Sequence, residues 1–85
     1  MARFELKVRP SVARDLKTIP KQSVLKILQR IEGLRDDPRP VGCEKLSGLE
    51  RYRIRQGSYR ILYSIFDIEV VVEIVKVGHR KDVYR

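Results

Sequence analysis

The residues best equipped for chemistry in this chain are its arginines. Arg51 to Arg60 reads RYRIRQGSYR, with four arginines and no acid, and the last eight residues, GHRKDVYR, form a second basic and aromatic cluster. A guanidinium is planar and permanently charged, and it presents paired donors that match two phosphate oxygens. Arginines at this density suit a nucleic-acid backbone. Other reactive groups are few. A single Cys43 rules out an internal disulfide and a cysteine metal cluster, and one His79 leaves too few soft ligands for zinc, so no cofactor is expected.

Strand alternation puts Arg51, Arg53 and Arg55 on one face and Tyr52 and Ile54 on the other. Gly57-Ser58 suits a two-residue hairpin loop with glycine at the first central position, where φ must be positive. The register follows: Gln56 with Tyr59, Arg55 with Arg60, Ile54 with Ile61, Arg53 with Leu62 and Tyr52 with Tyr63. One face is then apolar and aromatic and belongs to the core, with Tyr52, Tyr59 and Tyr63 as packing residues. On the other, Arg55 opposes Arg60 with no acid nearby in the sequence, a like-charge pair that destabilises a hairpin unless an anion offsets it.

Eighty-five residues make one domain, spanning 1–85, with room for one core. A net charge of +8 predicts a polyanion or an acidic protein as partner, bound more weakly in salt. No apolar run approaches a membrane span and MARFELKVRP lacks the apolar centre of a signal peptide, so no membrane partner and a cytoplasmic location are expected.

Arg3 to Val8 alternates as an amphipathic strand that Pro10 ends. Ser11 is the expected N-cap of a short helix with Val12, Leu16 and Ile19 inward, and Pro20 starts a second whose stripe is Val24, Ile27, Leu28, Ile31 and Leu34. DDPRPVGCEKLSGL reads as a connection, with Cys43 as a small loop residue. After the arginine hairpin, Asp67-Ile68 turns the chain into the β-branched run EVVVEIVKV, an interior strand. A two-residue turn there sets Leu62 opposite Glu73 and gives Arg60 a diagonal counter-ion. The expected fold is α+β: an N-terminal strand, a helical hairpin and a three-stranded antiparallel meander.

LSGLERYRIRQGSYRILYSI followed by VVEIVKVGHRKDVYR resembles the RelE family of toxins from type II toxin-antitoxin pairs, over essentially the whole chain. The resemblance implies a RelE-like fold and a ribosome-dependent, metal-independent endoribonuclease. Such toxins cut messenger RNA in the ribosomal A site by attack of the ribose 2′-hydroxyl on the adjacent phosphorus. Carried onto this sequence, the family's catalytic positions fall on Arg53, Arg55, Arg60, Arg80 and Tyr84. Lys45 falls where many members are basic, and Arg51, His79, Lys81 and Arg85 are the further RNA-binding candidates. Arg53, Arg55 and Arg60 would stabilise the phosphorane, Arg80 would serve the leaving 5′-oxygen, and Tyr84 would stack on a base. The implied partners are a cognate antitoxin, the ribosome and its message, with the free toxin a monomer.

Several members carry lysines where this chain has Arg53 and Arg55, and arginine does not act as an ordinary general base. The base is then His79, Glu73 or no protein group. Two other functions stay open. ParE-like relatives share the fold and inhibit DNA gyrase by binding, and a basic RNA-binding module would bind without cleaving.

Overall fold

The computed structural model describes residues 3–46, 48 and 50–81. Two helices cover one face of a five-stranded mixed sheet. The elements in chain order are β1 (Glu5–Val8), α1 (Pro10–Lys17), α2 (Lys21–Gly33), β2 (Glu44–Lys45), β3 (Tyr52–Gln56), β4 (Tyr59–Phe66) and β5 (Val71–His79). The sheet order is β1-β5-β4-β3-β2, with β1 parallel to β5 and every other pair antiparallel.

Pro10 does more than end β1. It occupies the first turn of α1, where its missing N–H costs nothing, and the N-cap position falls on Arg9 rather than Ser11. At α2 the expected start moves by one, with Pro20 in the N-cap position. Ile27, Ile31 and Leu34 follow the helical period into the core, whereas Leu28 lies about 100° round the helix from Ile27 and stays 45% exposed. The main core joins Val12, Ile19, Ile27, Ile31 and Leu34 to the inward residues of β3, β4 and β5, with Tyr52, Ile54, Ile61 and Tyr63 among them.

The β3–β4 hairpin has the register read from the sequence, pair for pair from Gln56–Tyr59 to Tyr52–Tyr63. Gly57 takes φ 60°, as the tight loop requires. The β4–β5 register differs from expectation. The turn has four residues, Asp67 to Val70, so Phe66 pairs with Val71 and Ser64 with Glu73; a bulge between Leu62 and Tyr63 then brings Leu62 opposite Lys76 and Arg60 opposite Gly78. Glu73 is therefore no diagonal neighbour of Arg60, and it pairs with Arg9 at 3.4 Å instead.

Arg39 ties the connection after α2 to the β4–β5 turn. It makes two hydrogen bonds to Asp67, at 2.8 and 3.1 Å, and its guanidinium lies 5.2 Å from the centre of the Tyr52 ring. Asp15 on α1 accepts the N–H of Val77 at 3.2 Å, satisfying a β5 donor beyond the end of β1. No helix among the described residues is long and apolar enough to cross a membrane.

Candidate functional site

On the sheet face turned away from the helices, alternation aligns Arg53 and Arg55 of β3 with Arg60 of β4. Arg80 follows β5, and its N–H bonds to the Ser58 carbonyl at 2.9 Å, which continues the ladder and puts its side chain on the same face as Arg60. Beneath these groups lies a second apolar cluster of Leu46, Leu62 and Val75, to which the bulge contributes Val75. Arginine stems pack well on such a floor.

The charges of Arg53, Arg55 and Arg80 all act on Arg60 in the same sense. Burial first, then the charges of Arg55, Arg53 and Arg80, push the Arg60 guanidinium below its ordinary value, while Glu44 acts in the opposite sense. Arg60 remains a cation, as an arginine does. Among the described residues, no carboxylate lies within ion-pair distance of Arg55, Arg60 or Arg80. Arg53 does have an acid, because β2 sets Glu44 directly opposite it and the two side chains meet at 3.1 Å. Sequence reading missed this residue, since Glu44 is nine positions away on a two-residue strand inside an apparent loop. The signal was an acid followed by Lys-Leu just upstream of a basic strand.

The other candidates are more dispersed. Lys45 stands opposite Tyr52, on the face that Tyr52 shares with the helices, and its ammonium is 3.7 Å from Glu50. Arg51 precedes β3, where its carbonyl accepts the N–H of Leu46 at 2.9 Å. His79 pairs with Tyr59 across the β4–β5 ladder and meets its ring edge-on with centroids 5.9 Å apart, so it looks toward the helix side. There it lines a cleft of about 360 Å³ together with Ser23, Lys26 and Gln56. Lys81 is exposed and donates its backbone N–H to His79 Nδ1. Tyr84 and Arg85 lie outside the described residues.

Of the two named candidates for a general base, His79 is turned to the opposite face and Glu73 is engaged by Arg9. The arginine face can bind and stabilise negative charge on non-bridging oxygens from several directions at once. Among the described residues, no group of three or more His, Cys, Asp or Glu side chains is arranged to hold a metal ion.

This combination of fold and basic face defines the class. A chain of the archaeal RelE–RelB complex from Pyrococcus horikoshii superposes with a TM-score of 0.83 at 28% identity, covering 95% of this chain and 99% of that one. A chain of the RelBE2 toxin-antitoxin complex from Mycobacterium tuberculosis gives 0.81 at 25% identity, covering 92% and 99%. The toxin RelG of Mycobacterium tuberculosis is 31% identical over 86 residues, 96% of this chain and 97% of the relative. The family model of the ParE toxin of type II toxin-antitoxin systems matches residues 6–84, and the chain belongs to that family, within the RelE/ParE superfamily.

Proposed function

We propose that this toxin is a ribosome-dependent endoribonuclease that cuts messenger RNA in the A site, without metal. The reading is carried by one observation: the β3–β4 register aligns Arg53, Arg55 and Arg60 on one face, and the bond from the Arg80 N–H to the Ser58 carbonyl brings Arg80 to the same face. Their mutual repulsion is costly unless an anion offsets it. A phosphorane, with extra negative charge on its non-bridging oxygens, profits from this field more than the ground-state phosphate does.

In the reaction the 2′-oxygen bonds to phosphorus as the bond to the 5′-oxygen breaks, giving a 2′,3′-cyclic phosphate and a 5′-hydroxyl. The 2′-hydroxyl proton leaves to solvent and the 5′-oxygen takes one up, with charge stabilisation by Arg53, Arg55 and Arg60 in place of a dedicated protein base. Arg80 shields the leaving oxygen. Tyr84 stacks on the exposed base beside the scissile bond.

Primer extension on a defined message in purified translating ribosomes, with mapping of the cut ends, tests this. Wild type should give A-site cuts ending in cyclic phosphates. Arg60→Ala should be slower by about a hundredfold or more, the scale of losing one preorganised charge-stabilising donor. Cuts that persist undiminished in both Arg60→Ala and Arg80→Ala would refute the assignment.

The resemblance to chains of RelE–RelB and RelBE2 complexes supports a cognate antitoxin as partner. An acidic, amphipathic segment that folds over the basic face would suit it, with the free toxin monomeric and cytoplasmic. The match to the ParE family model favours a second reading, non-enzymatic inhibition of DNA gyrase. Intact messages together with blocked supercoiling in a gyrase assay would select it.

A further inference from the structure

Glu44 is the carboxylate that β2 delivers to the arginine face. Its Oε1 accepts both Nε and Nη2 of Arg53, at 3.3 and 3.1 Å. The Glu44 side chain is 62% exposed and that of Arg53 24%, so the acid sits at the solvent rim and the guanidinium lies below it. One acid oxygen taking the Nε and Nη2 donors occupies the same edge of the fork that a phosphate oxygen would use. Glu44 and a phosphate are thus competitors for one set of donors. The placement is also well anchored. The segment leading into β2 is held by Tyr63, whose buried hydroxyl donates to the Pro38 carbonyl at 2.7 Å, and the Leu46 N–H just after β2 bonds to the Arg51 carbonyl at 2.9 Å.

We propose that Glu44 is a built-in counter-anion of the RNA-binding face, a positioning residue that holds the Arg53 fork before RNA arrives and cedes that edge to a backbone phosphate on binding. This rests on the reading of the face as an RNA site. Removing the charge has two opposite effects. It deletes a competitor and a local repulsion, so RNA binds more tightly, and it leaves the arginine cluster less compensated, so the protein alone is less stable.

The test is fluorescence anisotropy with a short single-stranded RNA made uncleavable by 2′-deoxy substitution, at low and moderate salt. Wild type is compared with Glu44→Gln, Glu44→Asp, Arg53→Gln and the double variant Glu44→Gln/Arg53→Gln. Glu44→Gln should bind about two- to fivefold more tightly, the scale of one partly exposed charge, and the gain should shrink as salt screens it. Glu44→Asp keeps the charge and should stay near wild type. In the Arg53→Gln background the same change should gain much less, because the shared donors are gone. Melting in inorganic phosphate provides a second measurement, with the anion raising the midpoint of Glu44→Gln more than that of wild type.

Equal or weaker RNA binding by Glu44→Gln, binding by neither protein included, overturns the proposal, as does an undiminished gain without Arg53. Its failure is separable from that of the nuclease reading. If wild type cuts messages on ribosomes and Glu44→Gln gains nothing, the counter-anion role is wrong and the nuclease stands. If Glu44→Gln gains affinity and no cuts form, the counter-anion role stands and the nuclease is wrong.

Discussion

Tyr63→Phe tests how the loop that carries β2 is held. Tyr63 is fully buried, and its hydroxyl donates to the carbonyl of buried Pro38 at 2.7 Å and lies 3.4 Å from the Cys43 sulfur. The substitution keeps the ring and its stacking on Tyr52, centroids 5.9 Å apart, so only the hydroxyl is lost. A buried carbonyl left without its donor costs about 1–3 kcal/mol, and about 2 kcal/mol lowers the melting midpoint of a domain this small by roughly 10 °C. Thermal and urea unfolding would measure it, with an unchanged urea slope to show that the same surface is exposed. Tyr52→Phe is the internal control. The Tyr52 hydroxyl only accepts a longer bond from Arg39, at 3.3 Å and partly in solvent, so its loss should cost less than half as much. A midpoint for Tyr63→Phe within about 2 °C of wild type would refute the reasoning, since a buried unpaired carbonyl cannot be that cheap.

The same tyrosine gives a pH dependence. Burial, and then the bond with Cys43, hold its pKa well above the ordinary tyrosine value. The unfolded chain therefore releases this proton first, and stability falls as pH climbs through about 10 and on toward the raised folded value; Tyr63→Phe should flatten that alkaline limb in unfolding titrations. Asp15→Ala should cost about 1–2 kcal/mol in urea unfolding by orphaning the Val77 N–H, and Asp15→Asn, which keeps an acceptor, should cost less. Val70 has φ 57°, a left-handed conformation that a β-branched residue adopts under strain, so Val70→Gly should raise stability by up to about 1 kcal/mol after glycine's own entropic cost.

The hairpin was legible because Gly57-Ser58 sets a two-residue loop, and a loop of known length determines every pair behind it. The next turn carried no such mark. Its left-handed position is filled by Val70 rather than glycine, so Asp67-Ile68 reads as the whole turn and Glu69-Val70 as strand, and the Leu62/Tyr63 bulge shifts the register once more. In the site, Arg53, Arg55 and Arg60 could be aligned by alternation alone, whereas Arg80 came only from the family resemblance, because a two-residue turn after β4 would have set it on the opposite face. Glu44 could not, because a two-residue strand is too short for any periodicity and its pairing is a tertiary choice. Leu28 shows the same limit in α2, where five apolar positions suggested a stripe wider than the face the sheet covers.

The pairing of β1 with β5 bears on when this toxin acquires its shape. Residues 5–8 lie beside residues 71–74, so the first strand has no neighbour until residues 71–74 exist. A protein made amino end first holds β1 and both helices outside the exit tunnel without a sheet to cover, and contacts this distant in sequence form late and slowly. Completion of the sheet therefore waits for β5. Until β5 docks, β1 is an unpaired edge and the apolar stripes of both helices have no complete sheet to cover.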